Sequence, residues 1–223
     1  YLNEVEITAS TTSATAGENV LLYDPGSGRS FLLEDYWNIK DDARRKAREL
    51  ASESDAFWMR NAENWFWFFL RGQEVTSLTN NAYYENNLVV YHKQEGRYFV
   101  LYDYANATPE RVYQAFEVHS PNNTLWWADE TYYYLYVDGF QIAARTFNYY
   151  EGNDLIVHDP EGSSSYRFKD YYNKMNKRLN PAEILYRPGQ ITCQRSEDDY
   201  YYIYKNGNSH YLTSGAAYSG QDL

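Results

Sequence analysis

Along most of this chain, apolar residues come in runs of four to six or alternate with polar ones. Short runs bounded by turn residues predict strands. Three segments share one layout: "NVLLYDPGSGRSFLLEDY" from Asn19, "NLVVYHKQEGRYFVLYDY" from Asn87 and "NDLIVHDPEGSSSYRFKDY" from Asn153. Each starts with Asn and an apolar run and has a Gly nine residues on (Gly28, Gly96, Gly162). Each closes on Asp-Tyr, at Asp35, Asp103 and Asp170. The layout predicts a β-hairpin. Asp159-Pro160-Glu161-Gly162 fits a type I turn with a bulge, and Asp24-Pro25-Gly26-Ser27-Gly28 is a longer version.

A second set aligns without gaps: "WFWFFLRG" (65–72), "YYYLYVDG" (132–139) and "YYYIYKNG" (200–207). Asp138-Gly139 and Asn206-Gly207 are preferred two-residue hairpin turns, because both positions need positive φ; Arg71-Gly72 is a weaker form. The preceding strands would be "AFWMRN" (56–61), "TLWWAD" (124–129) and "ITCQRS" (191–196). The terminal "YSGQDL" also echoes "YEGNDL" (150–155). The two sets give one period of about 67 residues, the mark of a repeat architecture.

Helices are expected between the hairpins. Thr108-Pro109-Glu110 and Asn180-Pro181-Ala182-Glu183 read as helix starts, with a capping side chain, a first-turn Pro and an early acid. "DDARRKARELAS" (41–52) places Ala43, Ala47, Leu50 and Ala51 on one face of a longer helix, which would cover the strand 64–70. Meander strands are expected at 56–61, 64–70, 73–79, 87–91 and 97–103, and again at 124–129, 131–137, 140–146, 154–158 and 165–169.

The expected fold is mainly β with short helices, an α+β repeat of antiparallel meander sheets plus a helix. The divisions are 1–18 as an N-terminal strand or linker, 19–86, 87–152, and 153–223 as a third repeat with the start of a fourth. The terminal pieces complement one another. Two closures satisfy them: a pseudo-three-fold ring, or a head-to-tail array completed by strand addition. A cut piece of a longer array is the third reading.

The chain has 223 residues and a formal charge of −11. Such a balance speaks against nucleic-acid binding, which needs a basic face. The apolar run Trp65–Leu70 is far short of the roughly 20 residues of a spanning helix. One cysteine, Cys193, excludes an intrachain disulfide. With 26 Tyr, 10 Phe and 6 Trp, aromatics make 19% of the chain. Tyr among small polar residues suits strands with one wet face, and the composition points to an extracellular or cell-surface protein. The chain opens on Tyr1, as a processed product or an excised fragment would.

Candidate chemistry is sparse. His92, His119, His158 and His210 form no metal-binding spacing, and His92 and His158 read as exposed hairpin residues. Cys193 and His210 carry no nucleophile signature. Asp35, Asp103 and Asp170 fit turn or cap positions better than acid–base roles. Neither a calcium loop nor a phosphate loop is present. No cofactor and no catalytic set is expected. Aromatic rings remain as candidate ligand contacts. Trp58, Trp126 and Trp127 could stack on sugars but fit a core layer better. Tyr132, Tyr134, Tyr200 and Tyr202 sit in ladders whose alternate members face opposite sides of a sheet.

"LNEVEITA" (2–9) resembles segments near the mature N-termini of Bacteroidota outer-membrane and secreted proteins, which implies a surface location. "NNLVVYHK" (86–93) is similar to the mannose-binding repeats of monocot-type lectins, but the Gln and Asp of their pattern are missing and the period is nearly twice theirs. The chain is assigned to neither family. The expected function is a non-enzymatic structural protein, a subunit of a surface layer or fibre that self-associates through its terminal strands. A multivalent carbohydrate-binding module is the alternative, with glycans as partners. An enzyme with a site between repeats comes third.

Overall fold

The computed structural model describes residues 1–3, 5, 14–39, 44–75, 82–142, 148–159, 161–162, 164–174, 178–185, 191–195, 201–205 and 208–212. These residues form many short antiparallel strands, joined by turns and a few single 3₁₀ turns. No helix among them is long and apolar enough to cross a membrane. The chain divides into two compact units, Tyr1–His119 and Ser120–Leu223.

In the first unit the strands are β1 (Ala14–Ala16), β2 (Asn19–Asp24), β3 (Arg29–Leu33), β4 (Arg48–Leu50), β5 (Ala56–Arg60) and β6 (Phe66–Leu70). There follow β7 (Gln73–Val75), β8 (Ala82–Tyr84), β9 (Asn87–His92), β10 (Arg97–Leu101), β11 (Val112–Gln114) and β12 (Phe116–Val118). They make three four-stranded sheets, ordered β1-β2-β3-β4, β11-β5-β6-β7 and β12-β10-β9-β8.

In the second unit the strands are β13 (Thr124–Ala128), β14 (Tyr133–Val137), β15 (Phe140–Ile142), β16 (Asn148–Glu151), β17 (Asp154–Asp159) and β18 (Ser164–Phe168). They are followed by β19 (Asn180–Pro181), β20 (Glu183–Leu185), β21 (Ile191–Arg195), β22 (Tyr201–Lys205) and β23 (Asn208–Leu212). The fourth sheet runs β15-β14-β13-β19, the fifth β16-β17-β18-β20 and the sixth β21-β22-β23.

Turn chemistry explains the hairpins. Arg71 and Gly72 (φ 47° and 71°) and Asp138 and Gly139 (φ 48° and 82°) both hold positive φ, as a two-residue turn requires. Leu70 and Val137 therefore pair with Gln73 and Phe140. Asn206-Gly207 lies outside the described residues, but Lys205 pairs with Asn208 in the same way. In the longer hairpins the corner carboxylates bind backbone N–H groups: Asp24 accepts from Gly26 and Ser27, and Asp159 from Glu161 and Gly162. Such Asx contacts fix a turn locally.

Asp35, Asp103 and Asp170 each take left-handed φ, at 53°, 52° and 53°, and open a single 3₁₀ turn. Their N–H groups donate to side-chain oxygens of Asn19, Asn87 and Asp154, at 2.8, 2.9 and 2.9 Å. Asp154, not Asn153, is thus the third residue of this set. The sequence reading of the third segment is corrected by one position.

The expected helices are absent. Thr108-Pro109-Glu110 leads into β11 and β12. The Thr108 N–H donates to the Tyr113 hydroxyl at 2.8 Å, and the Glu110 N–H to the Arg60 carbonyl at 2.7 Å. Asn180 pairs with Trp126 in β19, and Ala182 leads into β20. Within 41–52, residues 44–47 are exposed and outside any strand or helix, Arg48–Leu50 joins the edge of β3, and 41–43 lie outside the described residues. A helix this short is marginal alone, and strand edges offered these segments backbone partners.

Within the expected strand 64–70, β6 (Phe66–Leu70) is apolar throughout, and two sheets rather than a helix cover it. On one face Trp58, Phe68 and Leu70 pack against Leu88, Val90, Phe99 and Leu101 of the third sheet. On the other, Met59 and Phe69 pack against Leu21 and Leu32 of the first. Strands buried on both faces read as continuous apolar runs. In the second unit Trp126, Ala128 and Leu135 pack against Leu155, Val157 and Phe168 in the same manner.

Candidate functional site

The candidate aromatics divide by burial. Trp58 and Trp126 are completely buried. The Trp58 ring lies 4.9 Å from Tyr113, and the Trp126 ring stacks on Phe168 at 4.8 Å with 7° between planes. Neither has a ring face open to a ligand. Trp127 is buried and stacks on Tyr134 at 4.2 Å, and the Tyr134 hydroxyl donates to Asp129 at 3.1 Å. Burial, with Asp129 alongside, raises the Tyr134 phenol above its ordinary value. Tyr132 is exposed. Tyr200 lies outside the described residues, and Tyr202 sits in β22 opposite Gln194.

Among the exposed aromatics that sequence reasoning missed, Tyr36, Trp37 and Tyr172 lie at the 3₁₀ turns. The signal was the Asp-Tyr-x-Asn pattern at 35–38, 103–106 and 170–173. In each, the Asn N–H donates to the Asp carbonyl at 3.0 Å, and the Tyr and x residues sit at the turn. Tyr104 and Tyr171 are buried, packed on Trp58 and Trp126 at 5.6 and 5.7 Å. Tyr36 is 47% exposed, so the same residue type in the same turn has lost its cover. Trp37 beside it is 65% exposed, with its ring 5.5 Å from Tyr36. In the second unit Tyr150 and Tyr172 are both exposed and stacked at 5.2 Å.

His92 and His158 are buried, which corrects the expectation of exposed hairpin histidines. Burial pushes both imidazoles below the ordinary value, with Arg97 and Arg71 adding to the shift at His92. His92 Nδ1 has no hydrogen-bond partner, and His92 lines a cavity of about 300 Å³ with Tyr23, Leu70, Arg71 and Glu95. Arg71 pairs with Glu95, which pairs with Arg97 at 2.7 Å. Arg97 in turn grips Glu117 through two hydrogen bonds. That grip lowers the Glu117 carboxyl below its ordinary value. Arg29 and Glu49 make the same two-pronged contact from β3 to β4. Arg97–Glu117 and Arg29–Glu49 tie neighbouring strands, while Arg71–Glu95 joins the turns of two hairpins. No cluster of three or more His, Cys, Asp or Glu able to hold a metal occurs among the described residues.

The second unusual place is where one segment serves two sheets. β11 pairs with β5 in the second sheet; after Ala115, β12 pairs with β10 in the third. The Ala115 N–H donates to the Ala56 carbonyl at 2.8 Å. In the second unit β19 pairs with β13, the Ala182 N–H donates to the Thr124 carbonyl at 3.3 Å, and β20 pairs with β18. Ala115 and Ala182 are buried. β4 pairs with β3 just as β12 pairs with β10, and Ala47 precedes it. Yet Arg44, Arg45, Lys46 and Ala47 are exposed. A scan against protein-family models and a search of curated proteins gave no match to this chain.

Proposed function

We propose that this chain is a tandem array of about 67 residues per repeat with a non-enzymatic, structural role, a subunit of an extracellular or cell-surface assembly. Of the two closures that the repeat allows, head-to-tail association through its terminal strands is the one we propose. One observation carries this reading. A single segment is handed from one sheet to the next, twice, with Ala115 and Ala182 at the crossing. That device makes each hairpin sheet depend on chain from the following one, as in quasi-one-dimensional repeat proteins. The matching hairpin registers support the period: Val20, Leu88 and Leu155 pair with Leu33, Leu101 and Phe168. The surface location rests on the Tyr-rich composition and the "LNEVEITA" resemblance.

Light scattering coupled to size exclusion tests the assembly. Mass should rise above the 26.3 kDa of one chain as concentration increases. A particle of one chain at every concentration overturns the reading.

A second reading, multivalent glycan binding, draws on the exposed Tyr150–Tyr172 stack and on Tyr132. Flat rings of this kind present an apolar body with a polar rim. Retention on a glycan array that Tyr172→Ala abolishes would favour it. An array without retention removes it.

A further inference from the structure

We propose that the sixth sheet is completed by a second copy of this chain, whose residues Arg44–Lys46 add as a fourth strand along β21. This rests on the assembly reading above and assigns its partner and register.

The second sheet is the template. In it β11 lies along β5, with Val112, Tyr113 and Gln114 opposite Met59, Trp58 and Phe57. β19 lies along β13 with Asn180 opposite Trp126. The sixth sheet has the same inner construction: Ile191 pairs with Lys205 as Ala56 pairs with Leu70 and Thr124 with Val137. Thr192, Cys193 and Gln194 therefore hold the register positions of Phe57, Trp58 and Met59. Among the described residues, however, the sixth sheet has three strands where the second and fourth have four.

A segment with the register of that fourth strand lies in the first half of the chain. Ala47 precedes β4 as Ala115 precedes β12 and Ala182 precedes β20. The three residues before Ala115 are β11; the three before Ala47 are Arg44, Arg45 and Lys46, all exposed and in no strand. Carrying the register across places Arg44 opposite Gln194, Arg45 opposite Cys193 and Lys46 opposite Thr192. The Ala47 N–H then reaches the Ile191 carbonyl, as Ala115 reaches Ala56. Antiparallel addition to a sheet edge supplies main-chain hydrogen bonds without new folding.

A further observation fits the same partner. The first sheet presents Leu22, Leu33 and Tyr36 on the face that, in the third sheet, is formed by Val90, Leu101 and Tyr104. There all three residues are buried under the second sheet. Leu22 and Leu33 are only partly covered, and Tyr36 is exposed. A sixth sheet from a second copy would bring Ile203, at the register position of Phe68, to that face, with Lys205 at the position of Leu70.

The test uses the full chain and its single cysteine. Arg45→Cys is treated with a short bismaleimide above the concentration at which mass rises. The expected product is a ladder of three or more chains, because each copy can then be linked at both ends, through the introduced thiol to one neighbour and through Cys193 to the other. Glu63→Cys, on an exposed turn, should yield no such ladder, and Cys193→Ser in the Arg45→Cys background should abolish it. Arg45→Pro removes the N–H that faces β21 and should weaken association about tenfold. A mass that rises with concentration while Arg45→Cys gives no ladder overturns this interface but leaves the assembly reading standing. Cross-linking confined to the mass of one chain overturns the second copy as the occupant. A chain that never associates overturns both.

Discussion

Trp126 separates a core from a ligand-binding role. It is completely buried, stacks on Phe168 and lies 5.7 Å from Tyr171. A fully buried aromatic side chain hides about 150–250 Å². At roughly 25 cal/mol per Å² this is about 4–6 kcal/mol of transfer free energy, an upper figure because the unfolded chain already shelters some of that area. Trp→Ala in a core typically costs about 3–5 kcal/mol. The second unit should therefore lose roughly a third to a half of a mid-range domain stability of about 10 kcal/mol. Urea titration followed by far-ultraviolet circular dichroism reads the change. The two units can unfold separately, so each transition is fitted on its own. The transition of the second unit should move to much lower urea and that of the first unit should stay. Tyr132→Ala, at an exposed position, should shift neither by more than about 0.5 kcal/mol. If Trp126→Ala costs less than about 1 kcal/mol, this packing is wrong and a surface role returns.

Other elements carry predictions of their own. Burial holds the His92 and His158 imidazoles below the ordinary value; the unfolded chain then binds more protons than the folded one, and stability should fall as pH drops below about 6.5. His92→Asn, which puts a side-chain carbonyl where Asp24 and Asp159 bind their turns, should flatten that slope in chemical unfolding between about pH 6.5 and 5; an unchanged slope counts against it. Ala115→Leu should cost about 1–3 kcal/mol through overpacking at the crossing between sheets, and a neutral result by thermal unfolding would mean the crossing has room. Asp103→Val should cost about 1–2 kcal/mol because φ is 52° there; equal melting temperatures would refute it.

The hairpins were legible because their turns are written in residues with few alternatives. Asp138-Gly139 needs two positive φ angles, and the Asp corners bind their own backbone. The helices were misread because Thr108-Pro109-Glu110 and Asn180-Pro181 carry the local chemistry of a helix start. What decides them is a distant strand edge, at Arg60 for Glu110 and at Trp126 for Asn180. A reading of 111–118 as alternating positions, with Val112, Gln114, Phe116 and Val118 on one side, would have pointed to strands. The exposure of Tyr36 could not be read at all. Its turn is spelled like those of Tyr104 and Tyr171, and only the sheet that covers it differs.

Amide hydrogen exchange, read residue by residue as a function of concentration, tests the head-to-tail account most directly. In dilute protein Arg45, Ala47 and Cys193 should exchange freely. In concentrated protein all three should become protected together, while Lys46, whose N–H would point away from β21, stays fast. Association with Arg45, Ala47 and Cys193 still unprotected would contradict the account.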